Sequence, residues 1–271
     1  MIVPAQPASR LSVGSASGRP RLELRLLGGF RLLKDAEPVA VRHGGKAEVL
    51  LLNLALQPRL GVEREELLAT LWPNADEALA SQSLDTLVHS LRKTAGDALD
   101  GAGPVVRSDG RLRLNVERGI RLDVAEFERE AAEGDRLRRT GEEAAAVPRY
   151  EEAVRLYAGD LVIGSEIRHL LERERLRARY LELLRSLAET GFGGGQYTAS
   201  RDWARALLGC DPCREDAHRM VMRCDVRLGE RAQALRQYQT CAEILRREFG
   251  VEPEPATHEL YEAIRLSPAT V

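Results

Sequence analysis

Lysine is almost missing from this chain, aromatic residues are few, and no apolar run is long. Lys34, Lys46 and Lys93 are the only lysines among 40 basic residues. Positive charge is therefore carried by arginine, whose planar fork suits phosphates and guanine edges; a GC-rich coding sequence produces the same bias. Aromatics make up 4% of the chain while Ala, Leu, Arg and Glu abound, which favours helix over strand. The net charge of -2 excludes the strong positive field of a non-specific nucleic-acid coat. It leaves room for a local basic face balanced by acidic helices elsewhere. The longest apolar stretch, residues 49–56, is interrupted by Asn53 and falls far short of the ~20 residues that cross a bilayer, so no membrane association is expected.

Cysteine is scarce too. Cys210, Cys213, Cys224 and Cys241 all lie in the second half, which excludes a disulfide-dense framework. Cys210-Asp-Pro-Cys213 has a redox and metal spacing, but a lone pair with no second pair nearby reads as packing at a helix end. No metal or other cofactor is expected. Residues 1–20, rich in Pro, Ser, Gly and Ala, lack the apolar core of a secretion signal and read as a disordered tail, which points to the cytoplasm.

What is present falls into two halves, residues 21–120 and 121–271. LELRLLGGFRLLKDAEPVAV, residues 22–41, alternates around Gly28-Gly29 and predicts a small antiparallel sheet, with a third strand after the Asp35–Pro38 turn. A helix from Lys46 follows, ending at Pro58 and Gly61. Gly44-Gly45-Lys46 is its start and not a nucleotide site: the leading glycine of a phosphate loop is missing, and Ala47 stands where Ser or Thr would be. A second helix spans Glu63 to Leu71 and stops at Trp72-Pro73. A third, beginning near Ser81, places Leu84, Leu87, Val88 and Leu91 on one apolar stripe. Val105–Arg107 and Leu112–Leu114, joined through Asp109-Gly110, form a hairpin.

Helix, turn, helix and hairpin make a winged helix-turn-helix, whose third helix enters a major groove and whose hairpin reaches the flanking backbone. On that reading Gln82, Thr86, His89, Arg92 and Lys93 face DNA. Ser83 and Arg111 lie near phosphate, and the hairpin arginines Arg107, Arg111 and Arg113 are placed to reach flanking phosphates or the minor groove.

The second half shows a repeat. Gly141-Glu-x-Ala144-x-Ala146, continuing through Tyr150 and Ala153, matches Gly229-Glu-x-Ala232-x-Ala234, continuing through Tyr238 and Cys241. A weaker copy starts at Gly194, with Ala199, Trp203 and Ala206 in the corresponding places. The step from Trp203 to Tyr238 is close to the ~34-residue tetratricopeptide period, so stacked helix pairs are expected. Pro148 is expected to begin its helix or kink it, and Gly191–Gly195 to form a turn. The fold class is thus mainly α with a small β component: a winged helix followed by an all-α tetratricopeptide-like layer.

LRLLGGFRL, Glu65-Glu66-Leu67 through Leu71-Trp72-Pro73, Ser83-Leu84, Leu91-Arg92-Lys93 and GRLRLN resemble the OmpR-type winged helix. ERERLRARYLELL and GVEPEPATHELYEAI resemble segments of the bacterial transcriptional activator domain. In that order the two resemble the Streptomyces antibiotic regulatory protein family. The resemblance implies a transcriptional activator that binds double-stranded DNA at tandem promoter repeats and contacts RNA polymerase, with the helical half serving homodimerisation and protein contacts. Family members commonly carry arginines on the groove-facing side of the third helix, where this chain has Asp85, His89 and Ser90. Two readings of that face stay open at this point: a base-reading surface, or the solvated side of an adaptor that no longer binds DNA. Catalysis is not expected, because His43, His89, His169, His218 and His258 are scattered and no nucleophile motif accompanies them.

Overall fold

The computed structural model describes residues 22–162 and 167–267. The tail expected over residues 1–20 lies outside the described residues. Strands β1 (Leu22–Arg25), β2 (Arg31–Lys34) and β3 (Glu37–Pro38) are followed by helix α1 (Lys46–Leu56), strand β4 (Val62–Glu63), and helices α2 (Arg64–Leu71) and α3 (Glu77–Ala95). The hairpin β5 (Val105–Ser108) and β6 (Arg111–Leu114) leads through a short 3-10 turn to β7 (Ile120–Leu122). The remainder is helical: α4 (Asp123–Arg139), α5 (Glu143–Leu156), α6 (Ile167–Gly193), α7 (Tyr197–Cys210), α8 (Glu215–Arg227), α9 (Arg231–Phe249) and α10 (Pro255–Leu266).

The first sheet runs β3-β2-β1-β7, with β7 parallel to β1 and the other pairs antiparallel. Leu22 and Leu24 point into the core while Glu23 and Arg25 point out, as the two-residue period requires. The third strand differs from expectation. Asp35 and Ala36 both take positive φ and close a two-residue turn at once, so pairing resumes at Glu37–Pro38 instead of after Pro38. Proline is tolerated there because β3 is an edge strand. The hairpin follows expectation: Asp109 and Gly110 take φ 52 and 76, and β6 pairs with β5 on one side and β4 on the other.

Three helix boundaries move. α3 begins at Glu77, ahead of Ser81, because the Asp76 carboxylate caps it, Oδ1 accepting from Ala78 N at 2.9 Å and Leu79 N at 3.3 Å. α5 begins at Glu143 and carries Pro148 inside it. α6 continues through Gly191, which is buried and packs on the backbone and Cβ of Ser200, leaving only Gly194 and Gly195 to turn the chain.

The repeat falls on α5, α7 and α9, and its weaker copy shifts by one residue. Gly141, Gly195 and Gly229 share the left-handed conformation two residues before these helices. The buried positions of α7 are accordingly Ser200, Ala204 and Leu207, matching Ala146, Tyr150 and Ala153 in α5. Ala204, and not the half-buried Trp203, is the counterpart of Tyr238, which restores the ~34-residue step.

The two halves meet along a stitched seam. Asp123, at the start of α4, is 5% exposed, and its Oδ2 accepts from the N–H groups of Leu26 and Leu27, each at 2.8 Å. The segment following α5 then bridges back onto the residues just past β1, with Val162 N donating to Leu26 O and Gly28 N donating to Asp160 O, both at 3.0 Å. Gly28 is required by this approach: at φ +80, a Cβ would sit 2.8 Å from the Ala158 carbonyl. Arg168 of α6 reaches Asn53 of α1 and Glu66 of α2, so the Asn that interrupts the apolar run is the partner of a distant arginine. One hydrophobic core runs from Leu22 and Leu24 through Phe127 and Tyr157 to Leu183 and Leu187.

Candidate nucleic-acid interface

The helical period sorts α3 into two faces. Ala80, Leu84, Leu91 and Ala95 are buried, with Leu87 and Val88 packed beside them. Opposite stand Gln82, Thr86, His89 and Lys93, all exposed. Thr86 donates its hydroxyl to Gln82 O at 2.9 Å, and Ser83 donates to Leu79 O at 2.8 Å. Each hydroxyl oxygen keeps its acceptor lone pairs. Ser83 is half-buried on a flank of the helix, and Arg92 lies toward the other flank, its Nε donating to Gly101 O at 3.3 Å.

Asp85 is not turned to the outward row. Its carboxylate accepts from Arg64 of α2 at 3.1 Å and from Arg107 of the wing. Burial opposes its charge, but the two guanidiniums prevail and hold the carboxyl below its ordinary range. Arg64 also donates to Ser81 Oγ at 2.6 Å, tying the second helix to the third. Asp85 thus joins helix, helix and wing. Arg64 was missed in the sequence because nothing local marks a residue whose partners lie seventeen and twenty-one positions on.

The other wing arginines are similarly engaged. Arg111 donates to Glu63 and to Gly61 O, and half-buried Arg113 stands 3.6 Å from Glu117. At the helix-turn-helix junction Lys46 donates to Leu71 O at 2.9 Å, with its ammonium 4.2 Å from the centre of the Trp72 ring. The lysine that superficially suggested a phosphate loop instead locks α1 to the end of α2.

Among the described residues no helix is long and apolar enough to cross a membrane, and no three His, Cys, Asp or Glu side chains are grouped as a metal ion would need. Burial pushes the Cys241 thiol up to about 12 and also raises Cys210, Cys213 and Cys224, the opposite of what a reactive thiolate requires.

A winged helix joined to a layer of paired helices, with its third helix presented outward, is the architecture of a transcription regulator. Residues 122–265 match the bacterial transcriptional activator domain, and the chain belongs to that family. Over 243 residues it is 29% identical to the regulatory protein DnrI of Streptomyces peucetius, covering 84% of this chain and 89% of that protein. It is 27% identical over 244 residues to the regulatory protein AfsR of Streptomyces coelicolor, covering 90% of this chain but only 24% of AfsR, about a quarter of its length. The sequence resemblance to the Streptomyces antibiotic regulatory proteins therefore holds. Mycobacterium tuberculosis EmbR, solved in complex with a low-affinity phosphopeptide, shares the fold: the TM-score is 0.67 at 22% identity, over 90% of this chain and 65% of that one.

Proposed function

We propose that this protein is a sequence-specific DNA-binding transcriptional activator, with α3 in the major groove and the β5–β6 wing against the flanking backbone. The observation that carries the reading is the outward row of α3, exposed and polar from Gln82 to Lys93 and braced on one flank by the Arg64–Asp85–Arg107 cluster. In this reading Gln82, Thr86 and His89 meet base edges. Arg92, Lys93, Arg107, Arg111, Arg113 and Ser83 serve the phosphates. The helical layer engages RNA polymerase and a second copy of the chain on tandem repeats, and the protein works in the cytoplasm.

The test is selection of duplexes by the purified chain from a random library, followed by titration at two salt concentrations. A directly repeated motif bound with steep salt dependence supports the reading. A second reading, an adaptor without DNA binding, draws on Asp85, Glu63 and Glu117 each holding a wing arginine. No enrichment from the library would favour it and overturn the first.

The two readings also differ over Asp85→Asn. If the wing meets DNA, the neutral amide releases Arg107 and removes a negative charge. Affinity for the selected duplex should rise, and the salt slope should steepen by about one, the share of one phosphate contact. An unchanged slope would mean that Arg107 serves only to hold the wing against α3.

A further inference from the structure

Leu79 is 63% exposed in the first turn of α3. The helical period places it on the outward row, opposite Ala80, Leu84, Leu91 and Ala95 and in line with Gln82, Thr86 and Lys93. Gln82, Thr86, His89, Ser90 and Lys93 on that row are all polar, which makes the leucine the odd member of an otherwise hydrogen-bonding surface.

The backbone around it narrows what this turn can offer. A helix start ordinarily presents free N–H groups to an anion, but here Asp76 Oδ1 already accepts from Ala78 N and from Leu79 N itself. The protein's own carboxylate thus occupies the start of the helix and fixes the first turn. What projects outward is a branched hydrocarbon, one turn before Gln82. The N-terminal turns of a groove-docked helix lie against base edges. In the major groove the apolar group among the base edges is the C5-methyl of thymine; guanine, adenine and cytosine present donors and acceptors that a leucine would desolvate without replacing.

We propose that Leu79 is a specificity-determining residue that reads the C5-methyl of a thymine at one position of each half-site. This rests on the DNA-binding reading above. Its removal leaves the fold intact, because an exposed helical leucine gives up little packing and alanine is the stronger helix former.

The experiment uses the full chain and the duplex recovered by library selection. Each thymine in turn is replaced by uracil, which differs only in lacking the methyl, and affinity is measured for the wild type and for Leu79→Ala. At one thymine per half-site the wild type is expected to lose about fourfold, the share of one buried methyl-sized group. Leu79→Ala should bind the thymine and uracil duplexes equally well there, while keeping the wild-type response at every other position. If both proteins respond alike to every replacement, or neither responds to any, Leu79 does not read a methyl and the assignment falls while DNA binding stands. If selection recovers no duplex at all, the DNA-binding reading falls and takes the assignment with it.

Discussion

Phe127→Ala should destabilise the chain by about 3–5 kcal/mol, the range for emptying the site of a fully buried aromatic ring. The loss should be felt in both halves. Phe127 projects from α4 into the core shared by the winged helix and the helical layer, its ring 5.5 Å from that of Tyr157, which in turn stacks on Tyr180 of α6 at 4.2 Å. Two tryptophans report on the two sides: Trp72 follows α2, and Trp203 lies in α7. With one replaced by phenylalanine at a time, urea unfolding followed by the remaining fluorophore should give coincident transitions. Phe127→Ala should lower both midpoints together and drop the melting temperature by on the order of 10 °C. A Trp72 transition that stays in place while the Trp203 transition moves would show that the seam does not couple the halves.

That coupling bears on the proposed activity. The orientation of α3 relative to the helical layer is set by contacts on both sides of the seam: Asp123 on Leu26 and Leu27, Arg168 on Asn53 and Glu66, and the pairing of Leu26 to Gly28 with Asp160 to Val162. If the helical layer pairs two copies on DNA, a seam of this kind fixes the spacing of their reading helices. The relevant property of the duplex is then the separation of half-sites as well as their sequence.

The parts of this fold that could be read in advance are those whose causes are local. The Asp109-Gly110 turn, the Leu84 to Leu91 stripe and the small-residue pattern of α5 and α9 each depend on neighbours within one turn or one hairpin. The errors arose where a cause lay just outside the window. Asp76 extends α3 upstream of its apolar stripe, and the left-handed conformation of Gly195, not Gly194, sets the register of the weaker repeat. At the candidate interface the period placed Gln82, Thr86, His89, Arg92 and Lys93 on one face; the helix presents four of them together and sets Arg92 toward a flank, where it donates to Gly101 O. The role of Asp85 was not legible. Read by itself it is an acid that repels phosphate; beside Arg64 and Arg107 it is the brace between two helices and the wing, and those partners come from elements 21 and 22 residues away. Leu79 was passed over because the third helix was expected to begin near Ser81, which left this leucine outside the helical row that the Asp76 cap extends upstream.

Asp123→Asn should remove part of the chain's pH dependence, for a reason that also lies in the seam. Burial pushes the Asp123 carboxyl up to about 6, against the opposing pull of the Leu27, Leu26 and Val124 N–H groups that it accepts. The unfolded chain titrates this group near its ordinary value of 3.8. A carboxyl whose folded value is raised contributes stability that is fully present below about pH 3.8 and is lost as the pH rises through about 6, in total about 3 kcal/mol for a shift of this size. Asp85, Glu130 and Asp216 work in the opposite sense: arginine partners lower each of them against the cost of burial, so their contribution is lost as the pH falls. The raw stability curve mixes both. Subtracting the Asp123→Asn curve isolates the seam, since the amide cannot ionise and leaves the other carboxyls in place. From about pH 4.5 to about pH 7.5 the advantage of the wild type over the variant should shrink by about 2 kcal/mol in urea titrations. A constant difference would mean that the three N–H donors fully offset the burial. The carboxylate would then remain ionised across the whole range, and the seam would be held by charge-assisted bonds to a carboxylate and not by a protonated carboxyl.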